Sequence, residues 1–429
     1  MLLRFEVSNH RSINEPVELS MIAVDEDRPA ARSFDLLNER VLTVAGVYGP
    51  NASGKSNVVD ALAWLSTAAA TSLLAWDEII PREPFKFDSG PETPSTFEVE
   101  MMVERVRHTY RVELDDEKVL FESLHSYPER RPRSLFEREG EKIRFRRELG
   151  SLSAIRELLT PTTLALSAAM RFDVPDIRPF GRKLADIGTL GNRPRRSRYD
   201  YYPPAKTGSP TTERIFLQGG NGNQLTLFES AETEPLYNPA SALSLLRFAD
   251  LGIDDVHIVK ERLYEGDDTR TRRRIRLMHR VADQQISFDM ADESEGTRTW
   301  FRLIGPTLYA LRSGQTLLFD EIDSSLHPRL SAKLLELFQD PNTNPYGAQL
   351  IFTSHDTSLL NHLNRDEVWL TEKGADGTTT LTALAEYGGD KVRRSLNLEK
   401  AYLQGRFGAV PDLDQHLLRR ALGLSPGTE

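Results

Sequence analysis

Apolar and polar residues alternate at the start of the chain. Leu3, Phe5 and Val7 are interleaved with Arg4, Glu6 and Ser8, and Val17, Leu19 and Met21 with Glu18 and Ser20. A period of two predicts strands with one buried face. Residues 41–48 (VLTVAGVY) form a short apolar, β-branched run, which predicts a buried strand. The period then changes. Over residues 56–74, Val58, Ala61, Leu62 and Leu65 recur at helical spacing. Residues 97–103 and 109–114 alternate again and predict paired strands.

The pattern breaks in the middle of the chain. Residues 130–147 are charged and irregular, 152–170 carry helical runs, and 192–208 (rich in Pro, Arg and Tyr) and 219–222 (glycine-rich) predict exposed loops. Residues 126–240 therefore read as an insertion into the first domain. Regularity returns near Ala242. Strands are expected over 256–263, 274–278, 316–319 and 349–353, and a hairpin over 368–371 and 378–384 around Gly374 and Gly377. Helices are expected over 331–338 and over 296–311, where Trp300, Phe301, Ile304, Leu308 and Leu311 share a face. No internal repeat or heptad run is visible.

A chain of 429 residues, 39% hydrophobic and 28% charged, has the composition of a globular protein of two to four domain-sized units. It holds no run of about 18 apolar residues, and its first residues lack the layout of a signal peptide. With no cysteine there is no disulfide, thiolate metal site or cysteine nucleophile. The expected setting is the cytoplasm, with no membrane partner. The net charge of −10 is unevenly spread. Between Ser126 and Arg214, 19 Lys/Arg face 11 Asp/Glu, so this part carries +8 and the remainder −18. A basic middle in an acidic frame reads either as a solvated face or as a contact for an anionic polymer. Arg193, Arg195, Arg196 and Arg198 beside Tyr199, Tyr201 and Tyr202 could pair with phosphates and stack on unpaired bases, or meet a protein partner.

Gly49, Pro50, Asn51, Ala52, Ser53, Gly54, Lys55 and Ser56 fit the pattern of glycine, four residues, then Gly-Lys-Ser. Polyphosphate needs many donors converging on a small anion. A glycine-rich turn lets successive N–H groups point inward, and the following helix adds its positive end. Lys55 can reach the β- and γ-phosphates and Ser56 can hold Mg²⁺. Asn57 follows in the same helix start. The apolar strand before the loop and the amphipathic helix after it are the context this reading requires.

The run 316–321 (TLLFDE) is an apolar strand ending in two carboxylates. Strand ends in a parallel sheet meet at the ligand crevice. Asp320 suits a metal or its water shell, and Glu321 could polarise an attacking water. The next strand, 349–353, leads to Ser354, His355 and Asp356. His355 could touch a γ-phosphate or be an ordinary loop histidine. Ser294 precedes the helix 296–311. It is either a simple N-cap or, with the helix end, a second anion-binding element that serves nucleotide held by another subunit.

Together these elements resemble ABC-type ATPases of the branch that holds the SMC, RecF and OLD proteins. Residues 49–56 resemble its Walker A motif, and Ser294, Glu295 and Gly296 its signature. Asp320 and Glu321 resemble Walker B, residues 323–328 (DSSLHP) the D-loop, and His355 the switch histidine. Residues 5–12 (FEVSNHRS) are similar to the first strand of that branch, which implies that Arg11 approaches the nucleotide. The resemblance covers about 1–125 and 240–390. More closely, residues 293–297 (ESEGT), 319–328 and 402–411 (YLQGRFGAVP) resemble stand-alone AAA ATPases of bacterial phage defence, of the abortive-infection type with relatives in PARIS systems. Members are often encoded beside an RloB-like nuclease, so the resemblance implies a separate nuclease partner. Two departures stand out. No Q-loop glutamine is identifiable near Pro84, Phe85, Lys86 and Phe87, and Glu295 replaces the first glycine of the signature.

The expected fold is α/β: a P-loop NTPase of ABC-ATPase type with a mixed sheet core and an inserted, mainly helical domain. The expected parts are 1–125, the insertion 126–240, 241–390 and a tail 391–429. The expected activity is hydrolysis of ATP with Mg²⁺, coupled to a conformational or assembly switch in anti-phage defence. A homodimer would close on ATP, with Ser294 and Gly296 acting in trans and room for higher oligomers. A DNA repair ATPase of RecF or SMC type is the alternative. A transporter motor, an OLD-type nuclease and a nonhydrolysing scaffold fit less well. The extended insertion and the SMC-like N-terminus argue against the transporter, no clustered Asp/Glu set follows His355 for a nuclease, and intact Lys55 and Glu321 count against the scaffold.

Overall fold

Alternation along the central strands sorts their side chains into two cores. Ala45, Val47, Leu318, Ile351 and Trp369 face one, and Val44, Tyr48, Leu317, Phe319, Leu350, Phe352, Val368 and Leu370 face the other. Both faces are apolar because both are covered, the usual condition for parallel strands. The computed structural model describes residues 1–25, 28, 30–34, 37–129, 131–146, 153–172, 174–191, 211–219, 238–249, 252–265, 268–282, 284–324, 326–387 and 397–408.

The central sheet runs Gly188–Gly191, Thr316–Asp320, Gln349–Thr353, Val44–Tyr48, Val368–Lys373, Thr379–Ala383. The first five strands are parallel and the last closes an antiparallel hairpin. A second sheet of seven antiparallel strands runs Lys142–Phe145, Arg133–Glu139, Val119–Tyr127, Val106–Leu114, Ser95–Val103, Leu2–Ser8, Val17–Ser20. Helix Lys55–Ala75 lies in the core between the two sheets. By length and composition it is apolar enough to cross a membrane, but its apolar positions are spent on this core. Helices Glu295–Ser313 and Pro328–Gln339 cover the other face of the central sheet. The buried Gln349 amide ties the sheets together. Its Nε2 donates to Leu2 O (2.8 Å) and Leu42 O (3.0 Å), and its Oε1 accepts from Leu2 N and Thr316 Oγ1.

The α/β architecture with a strand–loop–helix phosphate motif matches the expectation, with three corrections. Residues 41–48 are not one strand. Arg40–Leu42 pairs with Ala31–Ser33, and Val44–Tyr48 joins the central sheet, with Thr43 at the crossing donating to Ala30 O (3.2 Å). Residues 131–146 are not irregular, since Arg133–Glu139 and Lys142–Phe145 extend the antiparallel sheet. The boundary expected at 125/126 thus falls inside strand Val119–Tyr127.

Within the expected insertion, helices Ala165–Arg171 and Arg178–Ala185 pack on helix Lys55–Ala75. Buried Glu122 holds the first of them, accepting from Ala165 N (2.7 Å) and Leu166 N (2.8 Å). Strand Gly188–Gly191 completes an edge of the central sheet. The described part of the insertion is therefore woven into both sheets. The segment with Arg193, Arg195, Arg196, Arg198 and Tyr199, the glycines 220 and 222, and residues 409–429 lie outside the described residues. Strands Ile253–Glu265, Asp268–Val281 and Gln284–Asp289 form a separate antiparallel sheet that leads to Ser294.

Candidate nucleotide site

The loop from Gly49 to Gly54 turns with backbone angles that side chains resist. Gly54 has φ 103°, and a Cβ there would come within 2.2 Å of Thr379 Oγ1. Only glycine allows this approach. Ala52 is also in the left-handed region, at φ 62°. The loop is braced from the hairpin beside it. Ser53 Oγ and Thr371 Oγ1 share a hydrogen bond (2.6 Å), Thr371 Oγ1 donates to Tyr48 O (3.1 Å), and Thr379 Oγ1 donates to Ser53 O (2.8 Å). Asn57 Nδ2 donates to Ser12 Oγ (2.6 Å), which also bonds Thr379 Oγ1 (2.7 Å).

Lys55 is buried and donates to Gly49 O (2.8 Å) and Pro50 O (3.1 Å). Burial holds its pKa below the usual lysine value, opposed by Asp323, Glu321 and Asp320. Those three acids sit at and just beyond the end of strand Thr316–Asp320. Ser56 Oγ donates to Asp320 Oδ1 (2.8 Å) across 264 residues of chain. Burial raises the Asp320 carboxyl, and the hydroxyls of Thr353 and Ser56 oppose that. Glu321 is half-buried with φ 55°, in the left-handed region that costs a non-glycine residue about 1–2 kcal/mol.

His355 is exposed just beyond strand Gln349–Thr353, and its backbone N–H donates to both Asp323 carboxylate oxygens (3.2 and 3.3 Å). Ser354 Oγ donates to the same carboxylate (2.8 Å). Asp323 thus anchors the histidine turn to the acidic strand.

Arg11 sits against the helix that follows the loop. Its Nε lies 3.1 Å from Glu83 Oε2 and 3.2 Å from Asp60 Oδ2. His10 Nε2 reaches the same Asp60 oxygen (2.9 Å). Ser294 caps helix Glu295–Ser313, with its Oγ accepting from Thr297 N (3.1 Å), while Gly296 lies in the first turn. The N-cap geometry expected from the sequence is present, and Ser294 is exposed.

The structure thus gathers Gly49, Pro50, Asn51, Ala52, Ser53, Gly54, Lys55, Ser56, Asn57 and Asp320 at one end of the central sheet, with Glu321 and His355 on the adjoining turns. Thr353, Thr371 and Thr379, in expected strands but outside every motif the sequence marks, complete this end with Ser12 and Asp323, which lie in stretches the sequence marks without a role of their own. Threonines and serines at strand ends are too common to stand out, and only the Gly-Lys-Ser spacing marked where to look. The donor set fits Mg·ATP: a glycine cradle into which a Cβ would clash, a buried lysine, and a hydroxyl joined to a carboxylate. Among the described residues no cluster of three or more His, Asp or Glu is positioned to hold a metal by protein ligands alone. Mg²⁺ characteristically binds through one or two protein ligands plus phosphates.

A family model described as "AAA domain, putative AbiEii toxin, Type IV TA system" matches residues 44–361. Among solved structures, the chain is similar to an SMC head bound to the C-winged helix domain of ScpA. The two share 15% identity over 89% of this chain and 97% of that one, with a TM-score of 0.48. It is also similar to the SMC head domain from Thermotoga maritima, at 12% identity over 89% and 98% of the chains and a TM-score of 0.38. No curated protein matches the chain.

Proposed function

Because this chain belongs to the AAA domain family described for the AbiEii toxin and type IV TA systems, we propose that it hydrolyses Mg·ATP to drive a switch in assembly. The observation that carries this reading is the Ser56–Asp320 hydrogen bond, which brings the phosphate loop and the acidic strand together beside Glu321. Backbone N–H groups of residues 51–55 cradle the phosphates, and Lys55 turns from its loop carbonyls to the β- and γ-phosphates. Ser56 and Asp320 would hold Mg²⁺, which when bound neutralises phosphate charge. Glu321 polarises the attacking water and takes its proton, and His355 meets the γ-phosphate. Ser294 and Gly296 act on nucleotide held by a second copy. We place this switch in bacterial phage defence, acting on a separately encoded nuclease, on the resemblance carried by residues 293–297, 319–328 and 402–411.

The test is a pair of variants. Glu321→Gln keeps ATP affinity within about threefold and lowers phosphate release by about 100-fold or more, because the cradle stays and the base is lost. Lys55→Ala weakens ATP binding itself. ATP affinity and phosphate release are measured on both. A Glu321→Gln protein that turns over at the parent rate removes Glu321 from the reaction.

A further inference from the structure

Two carboxylates at the end of one strand have different tasks in the reading above, and both must be aimed. Asp320 ends strand Thr316–Asp320, and Glu321 opens the turn after it. Both are tied to a single side chain on the neighbouring strand. Thr353 ends strand Gln349–Thr353 and is fully buried. Its Oγ1 donates to Asp320 Oδ1 (2.7 Å) and accepts from Glu321 N (2.8 Å), and its carbonyl accepts from Ile322 N (3.1 Å).

We propose that the Thr353 hydroxyl is a positioning residue that sets the metal carboxylate and the water-polarising carboxylate as one unit. This rests on the ATPase reading of the same site. A hydroxyl has one proton to give and lone pairs to receive, and here both are used on consecutive residues. Ser56 Oγ donates to the same Oδ1 (2.8 Å), so the two hydroxyls converge on one oxygen and leave Oδ2 outside both bonds. That sets the rotation of the Asp320 carboxylate.

The bond to Glu321 N sets the backbone instead. Glu321 holds φ 55°, and such conformations persist only where surrounding contacts impose them. Without an acceptor for its N–H, Glu321 can relax to an ordinary φ, and its carboxylate is re-aimed. A displacement of about 1 Å in a reacting group can cost on the order of 100-fold in rate. Thr353 stands two residues before His355, and Asp323 binds the His355 N–H, so hydrogen bonds join the acidic strand's end to the histidine turn.

The experiment compares the parent with Thr353→Val, which keeps the shape and removes the hydroxyl, and Thr353→Ser, which keeps the hydroxyl. Steady-state rates are measured beside the affinity for a fluorescent, nonhydrolysable ATP analogue with and without Mg²⁺. Thr353→Val lowers kcat by about 10- to 100-fold with KM for ATP within about threefold. Its analogue affinity without Mg²⁺ stays at the parent value, while the gain on adding Mg²⁺ shrinks severalfold. Thr353→Ser recovers most of the rate and of the Mg²⁺-dependent gain. If Thr353→Val melts below the assay temperature, Thr353→Ala takes its place under the same criteria.

A Val variant with the parent's kcat and Mg²⁺-dependent gain overturns the proposal. So does a Ser variant as impaired as Val, which would assign the effect to methyl packing. A parent that neither binds nor hydrolyses ATP overturns the ATPase reading as well, whereas an active parent with an indifferent Val variant overturns this inference alone.

Discussion

Glu367 precedes strand Val368–Lys373 with its side chain fully enclosed. Its Oε2 accepts from Asn364 N (2.7 Å) and lies 3.7 Å from Arg28 Nη1, while Oε1 is buried without a hydrogen bond. Burial pushes this carboxyl up to about 7, with Arg28 pulling it back down. A folded-state value above the unfolded one means that stability is full below the unfolded pKa of 4.5 and is lost as pH rises through about 7. The loss is about 3 kcal/mol if no other group compensates. Glu367→Gln removes this titration, so its urea midpoint falls less than the parent's between about pH 5 and about pH 8. Parallel pH profiles for the two proteins would refute the assignment. At the same scale, the sequence marked Lys55, Ser56, Asp320 and Glu321 through spacing and strand ends. It did not mark Thr353 or Glu367, whose roles come from neighbours more than 30 residues away.

Helix Glu295–Ser313 carries Pro306 in its interior, and the helix stays continuous because another element repairs it. A proline ring disturbs the preceding turn. Here the buried Thr212 hydroxyl enters the ladder, accepting from Gly305 N (2.8 Å) and donating to Phe301 O. Thr212 belongs to helix Thr212–Gly219 of the expected insertion, so that segment plugs the helix that Ser294 caps. Thr212→Val leaves both backbone groups unpaired and lowers unfolding free energy by about 1–3 kcal/mol. In a Pro306→Ala background the ladder can close on itself, and the same substitution costs less. Urea denaturation of the four proteins in this double-mutant cycle measures the coupling, and strict additivity would show that Thr212 does not compensate for Pro306.

Element types were legible wherever alternation or a short apolar run was clean, as in Ser95–Val103 and Gln349–Thr353 respectively. Strand Arg133–Glu139 was hidden because charges flank its buried Leu135 and Phe136, and its inward Arg138 is satisfied by Thr163 O, Thr160 O and Gly140 O. No local pattern announces a buried arginine two of whose acceptors, Thr160 O and Thr163 O, lie more than 20 residues on.

In the whole molecule, Lys55 lies in the phosphate loop, while the exposed Ser294 caps a helix on the other core of the central sheet. If Ser294 serves a partner's nucleotide, each composite site takes Lys55 from one copy and Ser294 from the other. Mixing inactive Lys55→Ala with inactive Ser294→Arg then restores activity. In a heterodimer one site receives both defects and the other neither, so up to about half of its sites are intact. ATPase assays on mixtures with verified heterodimers decide it. Absence of recovery leaves Ser294 as an N-cap.

By itself the sequence determined the strand–loop–helix of the phosphate site, the acidic strand and the α/β class. Each of these is written in local spacing: a glycine turn, a period of two or 3.6, a carboxylate pair at a strand end. Tertiary structure alone decided which strands are neighbours. It placed Gly188–Gly191, from the expected insertion, beside Thr316–Asp320, where Gly191 has φ 91° and a Cβ would fall 1.8 Å from Asp320 O. It also put Thr353 against both carboxylates and Thr212 into a distant helix. These choices depend on hydrogen-bond partners far apart in the chain, and a single sequence carries no record of that distance.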